Sequence, residues 1–335
     1  MGQKSPHHPL PEFEVRLSAP DLWDWRAGNT GIPGVTTFES GKPGPHVALF
    51  AITHGNEIAG AIALDHLLRT GLRPAIGRLT FAFGNLAAYD RFDPARPTAS
   101  RFVDEDLNRV WDPSVLDGPR HSIELSRARE LRPLVDTLDV LLDLHSMLWD
   151  ADPLTLCGET AAGRAMALGI GTPRLVVADS GHANGRRMID YTRFMAPGAT
   201  SSANLIEAGQ HWRPATVRTA LECIGGLLRW VGMLGPDADI PVAVQEPQRV
   251  AEVTRVVTAA TSQFAFVQPW RGGDIVPTRN TLLALDGETE IRTPHDDCLL
   301  VMPSLRPGRG HTAVRLGRFV DGRGQTPLFK APQSP

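Results

Sequence analysis

From residue 46 onward, short apolar runs alternate with longer stretches whose apolar residues recur at helical spacing. The run "HVALFAI" (46–52) has no polar interruption after its first residue, which predicts a strand buried on both faces. The next segment, "EIAGAIALDHLLRTG", sets Ile58, Ile62, Leu64, Leu67 and Leu68 on one broad face, with Gly71 as a stop, and predicts a helix. "LTFAF" (79–83), "VLLDLH" (140–145), "RLVVAD" (174–179) and "ANLIEAG" (203–209) predict further strands. Apolar spacing predicts helices at about 122–138 and 214–234. Such alternation indicates an α/β sheet with helices on its faces. The pattern changes at "GPDADIPVAVQEPQ" (235–248), rich in Pro and acidic residues and without helical period, which reads as a linker. Beyond it, "VTRVVTAATSQFAFVQPWRGGDIV", "NTLLAL", "CLLVMP" and "TAVRLGRFV" are short β-rich runs broken by turn residues. The chain therefore divides into a main α/β domain, residues 1–236, and a smaller all-β domain, 237–335.

Composition narrows the partners. The 335 residues, 42% hydrophobic, suffice for a large core. A net charge of −3 and a pI near 6.4 arise from interspersed charges, with no basic stripe for nucleic acid or an anionic membrane. There is no apolar run of membrane-spanning length, roughly 18 residues. Cys157, Cys223 and Cys298 are far apart and odd in number, which fits a reducing compartment, so a cytoplasmic location is expected. A homo-oligomer is compatible with the sequence but nothing in it requires one.

The candidate chemistry sits where predicted strands end, as ligand sites in open α/β sheets do. His54 and Glu57 in "THGNE" are close enough in a strand-to-helix turn to converge on one cation. By itself the pair is equally explained by an exposed turn whose glutamate favours a helix N-terminus. His145 ends the apolar strand "DVLLDLHS" and would supply a third donor, completing the set a catalytic zinc needs. "SRFVDEDLNRVW" (100–111) is a dense alternation of carboxylates, arginines and an asparagine that a solvated loop would also explain.

Taken together and in order, "HGNE", "SRFVDEDLNRVW", "DLHS" and "LIEAGQHW" resemble the succinylglutamate desuccinylase and aspartoacylase family, relatives of the zinc carboxypeptidases. The resemblance covers roughly residues 45–235. It implies a zinc carboxypeptidase-like mixed sheet flanked by helices, with a smaller all-β C-terminal domain and one zinc ion per chain. In that pattern His54, Glu57 and His145 look like the metal ligands, and Asp106 like the carboxylate that orients His54. Arg101 resembles the arginine that polarises the scissile carbonyl, Asn108 and Arg109 the pair that grips a substrate α-carboxylate, and Glu207 the general base. The implied activity is a zinc-dependent deacylase, an amidohydrolase acting on a small N-acyl amino acid. Two alternatives stay open: a carboxypeptidase-like hydrolase of short peptides, and a non-catalytic metal-dependent binding protein.

The sequence departs from aspartoacylases in one respect: they place a C-terminal-domain tyrosine in the pocket, whereas Tyr89 and Tyr191 both fall in the main domain here. Arg186, Arg187 and Arg193 are each read as solvated-loop residues, with contact to an acyl group or second carboxylate as the alternative. "PHDDC" (294–298) reads as a polar turn rather than a second metal cluster, since adjacent strand residues point to opposite faces. Trp149 and Trp212 suit a pocket wall or the core equally.

Overall fold

The structure is a computed structural model and describes residues 10–182, 184–235, 238–244 and 247–320. Its strands are β1 (Val35–Glu39), β2 (His46–Ala51), β3 (Arg78–Phe83), β4 (Val140–Met147), β5 (Leu154–Leu156), β6 (Leu175–Ala178) and β7 (Ser202–Gln210). After these come β8 (Arg249–Thr258), β9 (Phe264–Phe266), β10 (Ile275–Val276), β11 (Leu282–Asp286), β12 (Thr289–Arg292), β13 (Cys298–Val301) and β14 (Thr312–Phe319). Eleven form one mixed sheet in the order β1-β3-β2-β4-β7-β5-β6-β8-β14-β13-β10, and β12-β11-β9 form a second, three-stranded sheet.

The centre of the large sheet is parallel: β3, β2, β4 and β7 run together, and every residue of β2, β4 and β7 is buried. Strands covered on both faces account for the unbroken apolar runs of the sequence. One face packs Leu142, Leu144 and Ile206 against the helices Ile58–Arg69 and Pro214–Trp230 through Leu64, Leu67, Ile224 and Leu227. The other packs Leu141, Ala203 and Leu205 with Leu125 and Leu131 of the helix Ile123–Val135. The helices begin where the sequence places them: Ser122 caps Leu125 N–H, and Pro214 stands in the first turn, where its missing donor costs nothing.

Strand β5 and the helix Ala161–Ile170 escape the sequence reading, the first because three residues carry no readable period, the second because it is short and rich in Ala and Gly. The boundary at 236/237 lies outside the described residues. Strand β8, beyond it, pairs parallel with β6, so the main sheet continues into the C-terminal region. Leu299 and Val301 of β13 share the core of Leu141 and Leu205, and the C-terminal strands thereby cover part of that face. No helix among the described residues is long and apolar enough to cross a membrane.

Candidate metal and substrate site

Strand β2 ends because the chain turns at Ile52, a left-handed residue with φ 51°, a backbone state that costs about 1 kcal/mol or more outside glycine. Gly55 then permits a close approach: a Cβ there would stand 2.4 Å from the Ala88 carbonyl carbon. The indole of Trp212, fully buried, donates to the Asn56 carbonyl at 3.1 Å and braces the turn from behind. His54 and Glu57 are thus held, both buried, at the C-terminal edge of the sheet.

Glu57 precedes the helix Ile58–Arg69 but makes no capping hydrogen bond. Its carboxylate instead lies between two imidazoles: Oε1 is 2.7 Å from His54 Nδ1, and Oε2 is 3.2 Å from His145 Nδ1. The backbone N–H of Ser146 donates to Oε2 at 2.8 Å and fixes the second oxygen. Burial pushes the Glu57 carboxyl up, but the two histidines outweigh it and hold it well below its ordinary range.

Each imidazole is anchored from behind. His54 Nε2 is 2.8 Å from Asp106 Oδ1, and His145 Nε2 is 2.8 Å from Asp143 Oδ2. A metal ion between the rings would need a lone pair on each Nδ1, and donation of Nε2–H to the carboxylate behind each ring would provide it. Asp143 was not singled out from the sequence, although it stands two residues before His145 on one strand and therefore on the same face. The donor atoms of His54, Glu57 and His145 all lie within 4.8 Å of one another. Two imidazole nitrogens and an ionised carboxylate, each backed by a hydrogen bond, fit a divalent metal ion.

The loop before Asp106 brings Arg101 alongside, its Nη1 donating to Glu57 Oε1 at 3.1 Å, and its Nη2 to Asp106 Oδ2 at 3.3 Å and standing 2.9 Å from His54 Nε2. Glu124, in the first turn of Ile123–Val135, holds this loop. It accepts the N–H groups of Val103 at 2.6 Å, Asp104 at 3.0 Å and Glu105 at 3.2 Å, together with the Asn85 amide at 3.0 Å.

Glu207 stands on β7 directly opposite His145 of β4. It is buried, and its Oε2 has no hydrogen-bond partner among the described residues. Burial, and then the Glu57 carboxylate, push its carboxyl up to about 8. Asn108 is buried near His145, with its side-chain oxygen Oδ1 accepting Met188 N–H at 2.8 Å. The Arg109 guanidinium donates to the Asn108 carbonyl at 2.6 Å. Burial, with repulsion from Arg101, Arg187 and Arg315 outweighing what Asp106 gives back, pulls its pKa down to about 10.

His54, Glu57, Arg101, Asn108, Arg109, His145 and Glu207 all line a single cavity of about 230 Å³. Arg187 also reaches it, whereas Arg186 pairs with Asp112 at 2.9 Å and Arg193 donates to the Leu138 carbonyl at 2.8 Å. Trp149 lines the cavity; Trp212 belongs to the core. His295 is bound to Thr254 at 2.9 Å, and "PHDDC" forms no metal cluster among the described residues. The sequence reading singled out none of His182, His211 and Arg315: His211 lies within the quoted "LIEAGQHW", whereas His182, from a loop, and Arg315, from the C-terminal strand β14, have no local motif to mark them.

The family model of the succinylglutamate desuccinylase/aspartoacylase catalytic domain matches residues 43–200. Aspartoacylase of Xenopus tropicalis is 34% identical over 117 residues, which is 31% of this chain and 35% of the relative. Succinylglutamate desuccinylase of Pseudoalteromonas atlantica is 34% identical over 109 residues, 31% of this chain and 29% of the relative. The matches thus span about a third of the length of these curated relatives. The crystal structure of succinylglutamate desuccinylase from Vibrio cholerae shares the fold with a TM-score of 0.65 at 16% identity, covering 88% of this chain and 87% of that one. Residues 43–200, which carry the His54, Glu57 and His145 donors, belong to the succinylglutamate desuccinylase/aspartoacylase family of catalytic domains.

Proposed function

We propose that the protein is a zinc-dependent amidohydrolase that removes the acyl group from a small N-acyl amino acid. The observation that carries this reading is the convergence, in one cavity, of a His54–Glu57–His145 donor set, a buried Glu207 with a free oxygen and a guanidinium, Arg109, whose charge is poorly matched. The names of its relatives, aspartoacylase and succinylglutamate desuccinylase, support the reaction class.

His54, Glu57 and His145 would hold the zinc, which when bound supplies a Lewis acid that polarises a carbonyl and acidifies water. Glu207 takes the proton of the attacking water and returns it to the leaving amine. Burial and the neighbouring Glu57 carboxylate raise the affinity of its carboxylate for that proton. Arg101, anchored on Glu57 and Asp106, offers its guanidinium to the oxygen that gains charge as the amide is attacked. Arg109 binds the α-carboxylate. An arginine suits this task because its planar fork matches two carboxylate oxygens. Asn108 fixes the carbonyl on which that guanidinium rests.

The test compares kcat/KM for an N-acetyl amino acid and its carboxamide on wild-type and Arg109→Ala protein. The free acid should be favoured by about a hundredfold on the wild type, because a buried guanidinium left unpaired costs several kcal/mol. Arg109→Ala should lose that preference. Equal values on the wild type would remove the carboxylate reading and favour a hydrolase of short peptides. No amine release from any N-acyl amino acid, with zinc present, would favour a binding protein.

A further inference from the structure

Beyond the metal donors the cavity is lined by two kinds of side chain: Arg109, His182, Arg187 and Arg315, and the apolar Met147, Trp149, Leu156, Leu205, Met302 and Pro303. The first set is less cationic than its side chains suggest. Arg187 binds both oxygens of Asp179, at 3.0 and 2.8 Å, and both of Asp190, at 2.7 and 2.9 Å. Arg315 reaches Asp179 at 3.2 Å and spends a second nitrogen on the His182 ring at 2.6 Å. Two guanidiniums face two carboxylates, so the cluster has no net charge to offer a second anion. His182 adds none, because burial and then the neighbouring Arg315 and Arg109 push its pKa far down and leave it neutral. Asp150, also on the cavity, is itself an anion and is paired with Arg213 at 3.0 Å.

Arg109 differs. Among the described residues its guanidinium hydrogen-bonds only the Asn108 carbonyl, and Asp106, 4.0 Å away, is already shared by His54 and Arg101. One anionic group therefore has a partner waiting. In the apolar set, Trp149 is held by an edge contact to Phe13 with ring centroids 5.7 Å apart, and Leu156 and Leu205 are almost wholly buried. Methylene groups against these side chains would gain from burial, whereas a second carboxylate would lose its water and find neutral hydroxyls, Ser304 and Thr312, but no unpaired cation.

We infer that the preferred substrate is an N-acyl amino acid with a single carboxylate and an apolar remainder, and that dicarboxylic N-acyl amino acids are discriminated against. This rests on the deacylase reading above and narrows its substrate class.

The experiment measures kcat/KM of the zinc-loaded wild type for N-acetyl-L-methionine and N-acetyl-L-leucine against N-acetyl-L-aspartate and N-succinyl-L-glutamate. In parallel, calorimetry measures binding of the same four compounds to zinc-loaded Glu207→Gln protein. The apolar compounds should be favoured by roughly a hundredfold in kcat/KM and at least about tenfold in affinity. A dicarboxylate that is hydrolysed or bound as well as the apolar pair overturns the inference and leaves the deacylase reading intact. Apolar-selective binding without hydrolysis of any of the four supports it while the deacylase reading falls. Binding of none of them overturns it.

Discussion

Two buried charge clusters line the same cavity and are built in opposite ways. Around His54 and His145, the carboxylates of Asp106 and Asp143 hold the far side of each ring, so that both Nδ1 atoms face Glu57, and Glu207 keeps an oxygen without a partner. Around Asp179, Arg187 uses every one of its nitrogens on Asp179 and Asp190, and Arg315 closes the network from β14. The first arrangement leaves polar atoms aimed at one point, which is costly unless something binds there. The second satisfies its own charges and ties the end of β6 to the C-terminal strand. A buried ionic cluster with unspent atoms is a candidate for chemistry; one that is internally balanced is architecture and a boundary on substrate charge.

The comparison breaks first at Glu207. Glu207→Gln should lower kcat by about 10²–10⁴ while zinc content stays near one per chain, since the amide keeps the size but cannot accept the proton. Its folding stability should hold or rise, because Glu207 Oε2 makes no hydrogen bond to lose. Turnover, metal analysis and urea denaturation on one preparation check all three. A folded, zinc-loaded variant with near wild-type kcat would take Glu207 out of the reaction.

Asp179 should behave in the reverse manner. Asp179→Asn leaves Arg187 and Arg315 buried with one carboxylate between them, and breaking such a network costs about 3–5 kcal/mol of stability. Urea unfolding measures it, and the folded fraction should still bind zinc through the separate His54 set. Loss of under about 1 kcal/mol would show that the network is solvated rather than structural.

These two clusters also differ in how far the sequence discloses them. His54, Glu57 and His145 are legible because apolar strands, the second interrupted only by Asp143, end at or just before them, and Arg101, Asp106, Asn108 and Arg109 because they crowd one short segment. Asp143 was legible in principle from strand alternation. Asp179 and Arg315 are 136 residues apart, and only the pairing of β8 with both β6 and β14 brings them together. No local pattern encodes that meeting. The same pairing explains why the C-terminal region reads as a separate module by its short, turn-broken runs yet carries the main sheet onward. Trp149 and Trp212 were equivalent by sequence, and Phe13 packs against both; the bond from Trp212 to Asn56 is what holds that one in the core.

The smallest effect sharpens the comparison at a residue that touches neither cluster. Glu124 accepts four hydrogen bonds and holds residues 103–105, the span between Arg101 and Asp106. Burial pushes its carboxyl up, but the bonds from Val103, Asn85, Asp104 and Glu105 outweigh that and hold it below its ordinary 4.5. A depressed carboxylate contributes stability that is present above its unfolded-state pKa and is lost as pH falls through the folded one. Glu124→Gln, whose amide can accept at only one oxygen, should therefore cost about 1–2 kcal/mol at pH 7 and progressively less as the pH is taken below 4.5. Urea unfolding of wild type and variant at the two ends of that range reads the difference. A penalty that does not change with pH would mean the ionised carboxylate is not what holds the loop, and that the side chain's packing is.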